Sequence, residues 1–105
     1  MKALAAAILI LTCTMVSAQE TSLRIATFNA ELTRKGPGLL LRDILRGEDP
    51  QISAIISALR EIRPDIIALQ GIDYDLHASA LGAFANDLAK NDLVYPFVFS
   101  AAPNS

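Results

Sequence analysis

The sequence predicts an α/β fold built on a parallel strand–helix–strand unit, and three stretches predict it. In residues 23–29 (LRIATFN), Leu23, Ile25, Thr27 and Asn29 alternate with Arg24, Ala26 and Phe28. Apolar character on both sides is the pattern of a strand buried on both faces. Ile52, Ile55, Ile56 and Leu59 recur at helical spacing and form one apolar stripe. Residues 65–70 (DIIALQ) are a short apolar run of strand length. Strand, helix and strand in that order imply a right-handed crossover and parallel strands.

Each element has local reasons for its limits. Lys2, the apolar run at residues 3–11 and the small residues Val16-Ser17-Ala18 form a leader at residues 1–18, cut after Ala18. The apolar stretch is shorter than the ~20 residues a bilayer-spanning helix needs, so no integral membrane segment is expected after cleavage. Acylation of Cys13 is the alternative, but Thr12 stands before it, where lipoprotein signals carry a smaller residue. Once the leader is gone the chain has no cysteine, and so no disulfide and no thiolate chemistry. Localisation is then periplasmic or extracellular.

Residues 30–38 (AELTRKGPG) read as a loop, punctuated by Gly36-Pro37-Gly38. Residues 39–46 read as a short helix that ends at Gly47, which tolerates positive φ. Asp49 can cap the next helix, Pro50 suits its first turn, and Pro64 stops it. A third helix is expected over residues 76–90, with Leu81, Phe84, Ala85 and Leu88 on one face. Residues 95–99 (YPFVF) read as the start of another strand.

The chain has 105 residues, which suits one small domain and excludes a multidomain enzyme. Its 9 basic and 11 acidic side chains give a net charge of −2. Nothing here neutralises a long phosphate track, so no stable nucleic-acid complex is implied by charge.

Two segments together, LRIATFNAEL and LREIRPDIIALQGIDYD, resemble the endonuclease/exonuclease/phosphatase superfamily, the DNase I-like fold. The resemblance runs from about Leu23 to Asp75, and the leader points to the secreted bacterial branch. It implies that residues 19–105 are the N-terminal portion of a DNase I-like α/β sandwich. It also implies hydrolysis of a phosphodiester or phosphomonoester with a divalent metal, Mg²⁺, which takes oxygen ligands and polarises the phosphoryl oxygen.

The resemblance makes Asn29 the catalytic position at the end of the first strand. Where it expects a metal-binding Glu after Gln70, this sequence has Gly71. Asp73 lies two residues on, on the same face if the strand continues, and is the candidate replacement ligand. Glu31 is either a second metal contact or a solvated loop residue. Asp75 is a further ligand candidate or the cap of the third helix. Arg34 and Lys35 are candidate contacts for a substrate phosphate, and equally an ordinary charged loop. His77, the single histidine, falls in a helix and reads as a surface or partly buried helix residue, not as a general base. The late Asp, Asn and His of the family have no counterpart here. The chain alone is therefore expected to be inactive, as a truncated portion of a phosphoesterase. The competing readings are a non-catalytic secreted binding module on the same scaffold, and a self-contained small α/β protein.

Overall fold

The computed structural model describes residues 20–103. The leader, its cleavage site and Cys13 lie outside them. The order of elements is β1 (Ile25–Leu32), α1 (Leu39–Arg46), α2 (Pro50–Ile62), β2 (Ile66–Ile72), a single 3-10 turn (Leu76–Ala78) and α3 (Ser79–Lys90). β1 and β2 pair in parallel as a two-stranded sheet, with Ile25 opposite Ile66 and Asn29 opposite Gln70. The described residues are thus a small mixed α/β domain with three α-helices.

The helix ends follow from local chemistry. Gly47 adopts φ 68° and its N–H bonds the carbonyls of Asp43 and Ile44, closing α1. The Asp49 carboxylate accepts from the N–H groups of Gln51 and Ile52, and Pro50 fills the first turn of α2. Arg63 ends α2 in the left-handed region, with its N–H on the Leu59 carbonyl and Pro64 next.

The core lies on one face of the sheet. Leu32, Leu40, Ile44, Ile52, Leu59 and Phe84 are buried in it, and Phe28, Ile67 and Leu69 pack against it from the strands. α1 also packs on α3. Burying a side chain of this size contributes roughly 1.5–3 kcal/mol, so this layer carries most of the stability.

Four expectations need correction. The strands are not buried on both faces: Ile25 is 65% exposed and Ile66 49%. Helices cover only the side that holds Phe28, Ile67 and Leu69. The segment at residues 95–99 is not a strand, because no strand edge pairs with it and Pro96 lacks an N–H to donate. It is held by the Tyr95 hydroxyl, which donates to the Pro64 carbonyl at 2.6 Å, while Phe97 stays 92% exposed. The third helix does not begin at Leu76. His77 and Ala78 take φ 60° and 51°, which breaks the chain into a 3-10 turn and a separate α3. Finally, β1 does not end at Asn29 but runs on to Leu32 through an irregularity.

Candidate functional site

The carboxyl end of the two-stranded sheet is shaped by that irregularity. Between the pairs Asn29–Gln70 and Leu32–Ile72, β1 spends one more residue than β2. The extra length is a bulge, which twists the strand and re-aims its side chains. Glu31 enters the left-handed region at φ 51°, and Gly71 opposite does so at φ 72°. The Asn29 Oδ1 accepts from the Glu31 N–H at 3.1 Å, a local side-chain bond that steadies the turn. From α2, the Gln51 amide donates to the carbonyls of Glu31 at 2.8 Å and Ala30 at 3.3 Å. Two side chains thus engage the Glu31 N–H and the carbonyls of Ala30 and Glu31 within the bulge.

Gly71 sits against this turn. A Cβ added there would overlap the Asn29 Oδ1 and would stand 2.9 Å from the Glu31 nitrogen. Position 71 has no room for a side chain while Asn29 keeps its place, and its positive φ would strain any L residue.

Asn29 is exposed, on the open face of the sheet beside Gln70. Gln70 donates to the Thr27 hydroxyl at 3.3 Å on the same face. Glu31 is also exposed. Asp73 lies beyond the end of β2, so the alternation that would put it on the face of position 71 is lost at the left-handed Gly71. Its Oδ2 accepts from the Arg34 N–H at 2.9 Å. Among the described residues, no group of three or more His, Cys, Asp or Glu side chains is placed to hold a metal ion.

Arg34 is not free for a substrate. Its guanidinium bonds Asp43 at 3.0 Å and Asp49 at 3.1 Å, with only 17% of the side chain exposed. These bonds tie the β1–α1 loop to α1 and to the cap of α2. The Arg34 and Arg42 guanidiniums hold the Asp43 carboxyl below the ordinary carboxylate range. Lys35 is exposed and has no ion pair among the described residues. It lines a hollow of about 430 Å³ with Gly36, Leu41, Asp73, Tyr74 and Asp75. Both Asp75 oxygens accept from the Ala80 N–H at 3.0 Å, so Asp75 caps the first turn of α3. His77 is exposed in the 3-10 turn.

Gln51 was not singled out by sequence reasoning. A glutamine in the first turn of a helix carries no motif, and its role depends on where β1 bulges. A second hollow of about 410 Å³ lies between β2, α3 and the segment after Tyr95, with an apolar lining that includes Leu69, Phe84 and Phe99. No helix among the described residues is long and apolar enough to cross a membrane. No family model, no curated protein and no solved structure matches the chain.

Proposed function

We propose that the chain forms the strand–helix–strand part of an endonuclease/exonuclease/phosphatase-type protein that acts on phosphate esters and is exported by the leader at residues 1–18. The observation that supports this most is the parallel pairing of β1 with β2, which sets Asn29 beside Gln70 near the carboxyl end of the sheet. Groups that handle substrates gather at that end of parallel α/β sheets, because the loops leave there. Asn29 Oδ1 is engaged by the Glu31 N–H, which leaves the two Nδ2 hydrogens for a phosphate oxygen.

A divalent ion such as Mg²⁺ supplies charge neutralisation in phosphoester hydrolysis. The residues present do not fit such an ion on their own. Position 71 excludes a carboxylate, one Asp73 oxygen is engaged by the Arg34 N–H, and among the described residues no three His, Cys, Asp or Glu side chains gather to hold an ion. In this reading the described residues contribute the Asn29 end of a site and not a hydrolytic centre. The absence of room at position 71 favours the second reading, a non-catalytic module on the same scaffold.

The test is hydrolysis of bis(p-nitrophenyl) phosphate by a full-length phosphoesterase carrying this N-terminal sequence, with Asn29→Ala and His77→Ala compared. Loss of rate by about 100-fold in Asn29→Ala, with His77→Ala within about twofold, supports the phosphoesterase reading. No hydrolysis in any form would leave the non-catalytic module.

A further inference from the structure

We infer that Gly71 and Asn29 are an interlocked pair: the missing side chain at position 71 is what places the Asn29 amide, and a carboxylate at 71 excludes Asn29 from its pose. The inference rests on the reading of Asn29 as the polar group of the site, but its geometry stands apart from any activity. Gly71 is a positioning residue in it, acting through Asn29.

Three observations carry it. A Cβ at position 71 would meet the Asn29 Oδ1 first and the Glu31 nitrogen second, at 2.9 Å. The same Oδ1 is held by the Glu31 N–H at 3.1 Å, so the amide cannot swing aside without losing that bond. Glu31 in turn sits at φ 51° with its carbonyl held by Gln51, so the bulge cannot relax without disturbing α2. The pair, the bulge and the first turn of α2 form one continuous set of contacts. A metal-holding Glu cannot therefore be restored here by one substitution. The turn orients Asn29 as a hydrogen-bond donor, through Nδ2, with its oxygen directed to the Glu31 N–H. An amide so held has both Nδ2 hydrogens free for an oxyanion, while one of the two lone pairs of its oxygen is already taken by the Glu31 N–H.

The test is a double-mutant cycle on the full chain, with Asn29→Gly, Gly71→Ala and the double variant followed by chemical denaturation. If the pair is interlocked, Gly71→Ala raises the unfolded-to-folded ratio by about 100-fold with Asn29 present and by only about 10-fold with Asn29→Gly, the remainder coming from positive φ and the Glu31 nitrogen. Equal effects in both backgrounds overturn the inference. Because Gly71→Ala risks failing to fold, two measurements are made on the unsubstituted chain and Asn29→Gly. Exchange of the Glu31 amide hydrogen is slow in the former and at least about tenfold faster in the latter. Mn²⁺ titrated to about 1 mM leaves the Asn29 side-chain amide resonances no broader than those of exposed amides elsewhere, because its oxygen is engaged by the Glu31 N–H and no cluster of carboxylates stands with it among the described residues. Unchanged Glu31 exchange, or selective broadening of Asn29 by Mn²⁺, overturns the inference. Neither result depends on phosphoester hydrolysis, so failure here is distinct from failure of the proposed function.

Discussion

Arg34 shows how single residues organise this protein. Its backbone N–H takes Asp73, and its guanidinium takes Asp43 and Asp49. One residue thus joins the end of β2, α1 and the start of α2. Arg34→Ala removes both ion pairs, leaving Asp43 with Arg42 alone and Asp49 with no ion pair among the described residues. The melting temperature should fall by roughly 5–10 °C, read by circular dichroism. Arg34→Lys should recover only part of this, since an ammonium cannot bond two carboxylates with a planar fork. The pH dependence follows from Asp43, whose pKa is lowered by hydrogen bonds from Arg34 and then Arg42. A lowered folded-state pKa means the unfolded chain binds more protons, so stability rises with pH in this range. The contribution is complete above the ordinary Asp pKa of about 4 and is lost as pH falls through the lower folded value. Denaturation midpoints measured between pH 7 and 2 should fall below about pH 4, and less steeply in Arg34→Ala. A profile unchanged by Arg34→Ala would show that other carboxylates govern the acid limb.

Among the elements, α2 is the one its sequence specifies most fully. The Asp49 cap, Pro50 and the Ile52–Leu59 stripe all point the same way, and the helix runs from Pro50 to Ile62. Asp49→Ala removes the acceptor for two backbone N–H groups and one Arg34 ion pair. The cost should be about 1–2 kcal/mol in urea denaturation. Asp75→Ala should cost about 1 kcal/mol through the loss of the Ala80 N–H bond. α1 with its Gly47 stop was equally legible, because a helix end in the left-handed region writes itself as glycine. The 3-10 turn was not legible. Nothing in the Leu76–Ala78 residue types announces positive φ, and the apolar stripe of α3 extends back over it. The same holds for the bulge. Period-2 alternation marks where a strand runs, but not where one strand spends an extra residue against its neighbour. The expected role of Asp73 rested on unbroken alternation through Gly71, and the left-handed Gly71 ends that alternation. At the candidate site, the motif put Asn29 forward, whereas the Gln51 contacts and the close approach of Gly71 to Asn29 depend on three-dimensional placement that no spacing encodes.

At the scale of the whole molecule, one face of the sheet carries the core and the other is open. Leu23, Ile25 and Ile66 are exposed on the strand side, and Phe97 and Phe99 on the final segment. Exposed apolar groups beside unpaired strand edges favour self-association. The full chain should bind the dye ANS and form oligomers visible by light scattering at micromolar concentration. Ile25→Thr with Ile66→Thr should reduce both signals while leaving the helical circular dichroism unchanged. A monomer that binds no dye would show that this face is covered in solution. At the same scale stands the central claim, that the residues described here hold the Asn29 end of a phosphate-handling site without a hydrolytic metal centre. The most direct measurement is release of p-nitrophenol from bis(p-nitrophenyl) phosphate by the full 105-residue chain in the presence of Mg²⁺. The account predicts a rate equal to that of buffer alone. Turnover that disappears with EDTA and with Asp73→Ala would contradict it, because these residues would then assemble a working metal centre.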